Sequence, residues 1–349
     1  GIAILGILLM IIAGFSMAIN GHDPSILNEF ATINFKIWYL IDWVPAGTQR
    51  ALFSMLFGAG IILFISGKEK RTNGMLPADY FFRRQLWLIV FSLFDVFILL
   101  WWGDILLDYA CLGMVMFAFR NLPAKRLLIG AAFCFLFMLM RDNADLYRDK
   151  ATIYKGEVAA AIDTTKFKLT SAQKEDLQAM TAFKERNKHE NKVRRMERAV
   201  EKTTGNYEDL YAFRTNLYTD SLVRYLFFGV WDVLTFMFLG MAFLKMGVLT
   251  GEAPSRFYWL MCILGLGAGL TVSYFQLKPM IDVRFNWFEY TRKISIELHE
   301  LSRTLRSLGM FGLVMLMYKS GWLKWLFALM RPVGQMAFTS YLTQSLLCG

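Results

Sequence analysis

Residues 257–277 read FYWLMCILGLGAGLTVSYFQL, a stretch without a single charged side chain. A helix needs about 20 apolar residues in a row to cross the ~30 Å hydrocarbon core of a bilayer. Similar runs recur along the 349-residue chain, of which 56% is hydrophobic. This clumping predicts an all-α, polytopic transmembrane helix bundle, and it excludes a soluble enzyme, a coiled coil and a secreted disulfide scaffold.

Nine apolar runs are long enough to be spans, and charged or polar segments separate them. Two shorter apolar segments, 35–44 and 322–330, predict interfacial helices that Pro45 and Pro332 would end. Because apolar runs stand at both termini, we expect the natural protein to extend beyond each end. The predicted spans are 1–19, 48–67, 84–102, 104–120, 126–141, 222–247, 256–277, 303–319 and 333–349.

Basic residues mark one side of the predicted membrane. The chain carries 38 Lys and Arg against 28 Asp and Glu, and much of the excess lies in alternate short loops. Cytoplasmic loops of membrane proteins hold such an excess, so the net charge of +10 requires no nucleic-acid partner. The same rule puts the start of the chain in the cytoplasm and residues 20–47 outside.

Residues 142–221 interrupt the pattern, since they contain no spanning run and are dense in charge. Thr170 and Gln173 have the spacing of a capping box, which predicts a helix start there. We expect an extracytoplasmic helical hairpin, whose charges form either a solvated face or a surface for a protein partner. The chain then divides into a bundle at 1–141 (spans 1–5), this hairpin, and a bundle at 222–349 (spans 6–9).

Ionisable side chains inside spans are costly to bury and are functional candidates for that reason. Asp95 lies in the third predicted span, Asp232 in the sixth, and Arg50 near the outer end of the second. They are candidates for an intramembrane polar site, and structural ion pairs between helices explain them equally well. The four cysteines lie within apolar runs, and no spacing of side chains predicts a metal site.

His22 is the candidate base of the chain. It directly follows the first span in a predicted outer loop, and imidazole exchanges protons near neutral pH. A solvated loop histidine is the alternative interpretation, and we adopt that interpretation for His189 and His299. Asp104 follows a Trp-Trp-Gly turn on the same predicted side, where it is a candidate to orient the base or its substrate.

Five blocks of this sequence resemble the YeiB family of bacterial membrane proteins, and together they cover almost the whole chain. The family commonly has arginine where this chain has Gln335. The resemblance implies a multi-pass protein of the bacterial inner membrane. The blocks are Gly1–Met10; Arg50–Gly60; Arg83-Arg84 with Gly103–Leu106 and Tyr109-Ala110; Gly205–Tyr207 with Asp232–Ala242; and Pro332–Leu342 with Gln344-Ser345.

The YeiB family in turn resembles, more distantly, the transmembrane acyltransferases that include heparan-alpha-glucosaminide N-acetyltransferase. Those enzymes use a histidine of the first outer loop to move an acetyl group from acetyl-CoA to an amino sugar. The resemblance implies this role for His22, as general base or as brief carrier of the acyl group. The surrounding residues Asn20–Pro24 otherwise depart from that loop.

The favoured hypothesis is a membrane acyltransferase without a tightly bound cofactor, although the sequence leaves open whether the chain is an enzyme. Acyl-CoA is the candidate donor substrate, and a hydroxyl or amine of an extracytoplasmic glycan or lipid is the candidate acceptor. Basic side chains on the cytoplasmic side are the candidates to hold the phosphates of CoA: Lys68, Arg71, Arg83 and Arg84.

Two other functions account for the same sequence. A transporter for a small solute or lipid would use Arg50, Asp95 and Asp232 as polar sites along its path. A membrane scaffold would bind an extracytoplasmic protein partner through residues 142–221. All three would act within the lipid bilayer, and a homo-oligomer is compatible with each of them.

Overall fold

The structure is a computed structural model, and it describes residues 1–16, 23–27, 29–69 and 76–348. The chain is 80% helical, and the described residues contain no β-strand, which confirms the predicted all-α class. The helices are α1 (Ile2–Ser16), α2 (Ile33–Trp43), α3 (Thr48–Glu69), α4 (Leu76–Phe97), α5 (Leu106–Phe117), α6 (Ala124–Ala160), α7 (Ser171–Arg186), α8 (His189–Thr204), α9 (Tyr207–Phe228), α10 (Val230–Lys245), α11 (Ser255–Asp282), α12 (Trp287–Lys293), α13 (His299–Ser320), α14 (Lys324–Gln335) and α15 (Ala337–Cys348).

Helix α10 lies at the centre of the bundle, packed between α3 and α6. Its Phe236, Met237 and Met241 side chains are fully buried. One apolar cluster joins α10 to α3, α4, α5 and α6, and a second joins it to α1, α3, α11 and α13. Because large apolar side chains fill both flanks of α10, this helix fixes the positions of its neighbours.

Helices α11 and α13 make an extensive contact, and glycines let their backbones approach closely. A Cβ atom on Gly265 of α11 would fall 2.5 Å from the backbone nitrogen of Gly309 on α13. No real Cβ is tolerated at that distance, so both positions require glycine. Small residues at such crossings are typical of helix pairs in membranes.

We expect Gly265→Ala to destabilise the protein by about 1–3 kcal/mol, because the added methyl group must push α11 and α13 apart. Thermal unfolding of the detergent-solubilised protein measures the loss. Gly267→Ala is the matched control on the same helix, since nothing lies within 4 Å of its Cβ position. The control should be neutral or stabilising by up to ~1 kcal/mol, because alanine is the better helix former; equal losses would contradict the packing argument.

Three stretches of the described chain are long and apolar enough to cross a membrane, namely 33–68, 124–160 and 255–282. The first runs through α2, a short turn and α3. These stretches give the chain the character of a membrane protein. The count of nine spans, their orientation and the outer hairpin remain predictions from the sequence.

Helix α6 continues well past residue 141, where the fifth predicted span ends. It is unbroken over 37 residues, which makes it about 55 Å long. Cys134 is buried in its first half, against the bundle, and Gly156 is buried in its second half, where α7 packs on it. The predicted start of α7 is confirmed, because Thr170 and Gln173 form the reciprocal hydrogen bonds of a capping box.

Other boundaries also differ from the sequence-based expectation: α4 spans Leu76–Phe97 where 84–102 was predicted, and the predicted span 333–349 is divided between α14 and α15. The sixth predicted span, 222–247, is not a single helix, because α9 ends at Phe228 and α10 begins at Val230. Pro332 was expected to end the interfacial helix at 322–330, and this prediction is wrong: the proline lies inside α14, which continues to Gln335. A proline removes one backbone donor, and a helix continues beyond it when the neighbouring hydrogen bonds form.

Candidate functional site: an acidic cavity and two buried polar clusters

A cavity of about 460 Å³ lies between α2, α6, α11, α12 and α13. It is on the predicted extracytoplasmic side, and we call it the outer cavity. Its walls carry five carboxylates, two basic groups and four aromatic rings. The carboxylates belong to Asp42, Asp142, Asp145, Asp149 and Glu297, the basic groups to His299 and Arg306, and the rings to Trp38, Phe285, Trp287 and Tyr290.

The acidic wall is built largely by one helix. Asp142, Asp145 and Asp149 follow one another on α6 at spacings of three and four residues, which places them on one helix face. Asp142 makes an ion pair with Arg141 at 2.5 Å, and Asp145 pairs with Arg148 at 3.0 Å. Within the described residues no three His, Cys, Asp or Glu side chains are arranged to hold a metal ion. The wall presents a row of carboxylates to the cavity.

Aromatic rings supply the rest of the wall. Trp38 and Phe285 meet edge to face with their centroids 5.2 Å apart, and Trp287 lies 5.1 Å from Tyr290. The indole nitrogen of Trp287 donates a hydrogen bond to Asp149 at 3.2 Å, which joins the aromatic wall to the acidic one. Ring faces beside carboxylates attract alkylammonium groups, because both present negative potential to a cation.

Glu297 is the carboxylate held most firmly by its neighbours. Its backbone N–H donates to Asn143 Oδ1 and its carbonyl accepts from Asn143 Nδ2, both at 2.9 Å. The hydroxyl of Tyr290 donates to its Oε2 at 3.3 Å. Burial raises the pKa of the Glu297 carboxyl, the negative charge of Asp142 adds to the rise, and His299 partly opposes it. Glu297 is therefore the carboxyl of this cavity best suited to exchange a proton.

We expect Glu297→Gln to flatten the dependence of stability on pH. Because burial raises the pKa of Glu297 in the folded state, its contribution to stability is complete below the unfolded pKa and is lost as pH rises through the folded pKa. The variant carries no such charge, so the melting temperature of the variant should rise relative to that of the wild type as the pH increases above about 4.3, the unperturbed pKa of a glutamate. Glu175→Gln, which makes the same change at an exposed position of α7, is the control. Parallel curves for wild type and Glu297→Gln would contradict the expectation.

Arg306 forms the inner end of the outer cavity. The residue is only 1% exposed, and its Nη1 donates to the carbonyl oxygens of Asp42 at 2.9 Å and Trp43 at 2.7 Å. A third, longer bond reaches Val44 at 3.3 Å. These oxygens end α2, so the arginine provides the donors that the last helical turn lacks.

One turn away on α13, Arg303 makes a buried ion pair with Asp232 of α10. Its Nη1 and Nη2 donate to the two carboxylate oxygens at 2.9 and 2.6 Å, and Nη2 also contacts Glu300. Arg50 lies nearby, with its Nε 3.8 Å from Asp232. The structure thus brings together two of the predicted intramembrane residues, Arg50 and Asp232, in an arrangement that braces α3, α10 and α13.

Asp95 and Asp104 form a second buried cluster. Asp104 accepts hydrogen bonds from the backbone N–H groups of Leu106 and Leu107 at the start of α5, and from the hydroxyl of Ser92. The hydroxyl of Tyr341 donates to its other oxygen at 3.2 Å. The predicted role of Asp104 beside a catalytic base remains a prediction; in the described residues it caps α5.

His22 and Arg71 lie outside the described residues, so their predicted roles remain predictions. The residue after His22, Asp23, is described. Its carboxylate lies 2.8 Å from Nζ of Lys192 on α8, and the same ammonium donates to the carbonyl of Phe285 at 2.5 Å. Because Phe285 lines the outer cavity, Lys192 ties Asp23 to the edge of that cavity.

The remaining donor-binding candidates divide into two groups. Lys68 lies 4.7 Å above the ring of Tyr80, and Arg84 lies 5.3 Å from the ring of Phe64. Both contacts cross from α3 to α4, so Lys68 and Arg84 belong to one helix interface. Arg83 points elsewhere, because it is exposed and paired with Asp79 at 3.0 Å.

Several residues of these sites were missed by the sequence analysis. Asp142, Asp145 and Asp149 had a usable signal, since their spacing already places three carboxylates on one helix face just beyond an apolar run. The sequence signal at Arg303 and Arg306 was weaker, because arginines at the end of a span are also common at the solvated membrane interface. Their partners are far away in the sequence, so only the fold identifies them.

Comparisons with known proteins find one family model and two uncharacterized relatives. The family model described as Protein of unknown function (DUF418) matches residues 243–349. Uncharacterized protein YeiB of Escherichia coli (strain K12) is 22% identical over 100% of this chain and 80% of its own length. Uncharacterized protein YxaH of Bacillus subtilis (strain 168) is 31% identical over 39% of this chain, a segment that spans 34% of that protein.

No solved structure matches this chain. The relatives support the resemblance that the sequence blocks indicated, and they are similar to this chain both along its full length and at its C-terminal third. These similarities support a YeiB-like family for the chain, and residues 243–349 match the DUF418 model.

Proposed function

We propose that the chain is a membrane acyltransferase that transfers an acyl group from acyl-CoA to an amine-bearing acceptor held in the outer cavity. The observation that carries the proposal is the composition of that cavity, about 460 Å³ walled by five carboxylates and four aromatic rings. An amino sugar or another small organic amine binds there as its ammonium form, with the charge toward the carboxylates and the carbon skeleton against the rings.

The acceptor must lose a proton before it can attack an acyl group. Glu297 accepts that proton well, because burial raises the pKa of its carboxyl toward the working range of a general base. His299 also lines the cavity and is a second described candidate. His22 remains the candidate that the family resemblance implies, as base or as acyl carrier.

The donor binds at the opposite end of α3. Arg50 and Lys68 are separated by 18 positions on this helix, which is about 27 Å along its axis. The phosphates of acyl-CoA pair with Lys68 and Arg84 at the α3–α4 interface, while the outer cavity holds the acceptor beside the other end of α3. For direct transfer, the flexible thioester arm of CoA must reach from the phosphates toward the outer cavity, so that only the nucleotide end of CoA stays on the cytoplasmic side.

The chemical step is a nucleophilic substitution at the thioester carbon. The base first takes one proton from the ammonium group. The resulting amine nitrogen then forms the new amide bond, the carbon–sulfur bond of acyl-CoA breaks, and the second nitrogen proton passes to the departing thiolate, so that CoA leaves as the thiol. If His22 carries the acyl group, the same bonds change in two steps through an acyl-imidazole.

The test is transfer of radiolabelled acetyl from acetyl-CoA to an amino sugar by the protein in proteoliposomes. We expect His22→Ala to abolish transfer and Asp149→Asn to raise the KM for the amine with little change in kcat. Asp163→Asn, exposed and distant in sequence from the cavity walls, should leave both constants unchanged. Full transfer activity in His22→Ala, together with loss of transfer in His299→Ala, would assign the role of base to His299 instead. Absence of transfer from every acyl-CoA tried would refute the proposal.

A transporter is the second candidate, and buried Asp95 favours it, because an ionisable group deep in the bundle is typical of a solute or proton path. Uptake of a labelled amine into proteoliposomes without its acylation would support this alternative. A scaffold role requires a partner for α7 and α8. Deletion of residues 171–204 that leaves acyl transfer intact would separate that role from catalysis.

A further inference from the structure

We propose that Asp95 and Asp104 form a binding site for one monovalent cation, Na⁺ or a proton, inside the helix bundle. The site lies between α4, α5 and α15 and is independent of the proposed acyl transfer. The site is built around Asp95, whose carboxyl group receives one hydrogen bond from a neutral hydroxyl among the described residues.

Asp95 is completely buried in α4. Its Oδ2 accepts one hydrogen bond, from the hydroxyl of Ser345 at 3.2 Å, and its Oδ1 has no hydrogen-bond partner among the described residues. The carboxyl group of Asp104 is close enough to interact with it directly. A buried carboxylate with one neutral donor and a second carboxylate beside it is strongly disfavoured, so a positive charge must accompany it.

Asp104 does not need that charge for itself. The N–H groups of Leu106 and Leu107 lie 3.1 and 3.3 Å from its Oδ2, at the positive end of the α5 dipole. Ser92 and Tyr341 donate to it as well. The start of α5 therefore compensates one of the two negative charges, and one remains.

No lysine or arginine among the described residues makes an ion pair with either carboxylate. Among the side chains that the structure describes, Tyr341 on α15 and Tyr218 on α9 interact with the pair, and Asp108 on α5 lies near Tyr218. These described neighbours are neutral or acidic, and we infer that a single bound cation balances the remaining charge.

The ligand atoms suit a small hard cation. Side-chain oxygens converge from Ser92 and Asp95 on α4, from Asp104, and from Tyr341 and Ser345 on α15. Carboxylate and hydroxyl oxygens are the ligands that hard cations prefer, and they also share a proton readily. Both candidate occupants therefore have the same chemistry, one positive charge bound to oxygen.

The test compares thermal unfolding of the purified full chain in NaCl and in choline chloride at equal ionic strength, in mildly acidic and mildly alkaline buffers. If Na⁺ occupies the site, we expect NaCl to raise the Tm by several degrees over choline chloride in alkaline buffer. If a proton occupies the site, we expect the acidic buffer to raise the Tm by several degrees with either salt. In Asp95→Asn the rise should disappear. Binding of radioactive Na⁺ distinguishes the two occupants directly.

Asp79→Asn is the matched control, since it makes the same change at an exposed position of the same helix, and it should keep the full shift. Ser345→Ala retains both carboxylates and should raise the Na⁺ concentration at which the shift is half complete if Na⁺ is the occupant. If a proton is the occupant, the variant should raise the pH of half completion, because the lost hydroxyl donated a hydrogen bond to the charged form of Asp95. A wild type that responds to neither Na⁺ nor acid, or a response that persists in Asp95→Asn, would overturn the proposal.

Discussion

Replacing Arg303 with methionine should destabilise the protein by about 3–5 kcal/mol, the typical loss when one partner of a buried ion pair is removed. The change leaves Asp232 buried without the two hydrogen bonds, at 2.9 and 2.6 Å, that the guanidinium provides. Both residues are more than nine-tenths buried, so water does not take over this role. Equilibrium unfolding in detergent micelles measures the difference.

The double variant Arg303→Met with Asp232→Leu separates the cost of a stranded charge from the value of the pair itself. We expect it to recover most of the lost stability, because two apolar side chains replace two charges of similar volume. Arg292→Met, which breaks half-exposed pairs with Glu157 and Glu289, should cost about 0–1 kcal/mol. A loss below about 1 kcal/mol in Arg303→Met would contradict the bracing role of the pair.

Arg306→Met should produce the second largest effect, about 3 kcal/mol, because charge-assisted hydrogen bonds contribute roughly 1.5–3 kcal/mol each and are not additive. The substitution strands the carbonyl groups of Asp42 and Trp43 at the end of α2. Unlike the loss at Arg303, this one should appear as local opening. Hydrogen–deuterium exchange should accelerate across Ile33–Trp43 at a temperature where the bundle stays folded.

The exchange experiment has two internal references. Amides of α12 should keep their wild-type rates, because Arg306 makes no hydrogen bond to that helix in the described residues. Arg306→Lys retains the charge but lacks the planar fork of donors, so its exchange rates at α2 should be intermediate. If the amides of α2 exchange at unchanged rates in Arg306→Met, then the hydrogen bonds from Arg306 to the carbonyl groups do not stabilise the end of α2.

The helix class and the membrane character were predictable, because both depend on local composition. Residues 257–277 fall within α11, and the run at 126–141 falls within α6, since a continuous apolar stretch has few alternatives to a helix in lipid. The split between α9 and α10 was not predictable. Apolar residues continue on both sides of Gly229, and only packing against different neighbours separates the two helices.

The polar sites were predictable as residues but not as sites. Arg50, Asp95, Asp104 and Asp232 each stood out because ionisable groups are rare within apolar runs. Which of them pair depends on contacts between distant parts of the chain: Asp232 meets Arg303, while Asp104 meets Tyr341. A local sequence pattern does not predict contacts between distant residues, so the pairing partners can be identified only from the packed helices.

The unbroken length of α6 has a mechanical consequence. A rigid rod of about 55 Å works as a lever: a tilt of about 5° at one end displaces the other by roughly 5 Å. The inner half of the rod is anchored against α10, and its outer half carries Asp142, Asp145 and Asp149. We expect a stress that tilts the first half of α6, such as a change in bilayer thickness, to change the width of the acidic cavity unless the contact of Asp149 with Trp287 moves the opposite wall along with it.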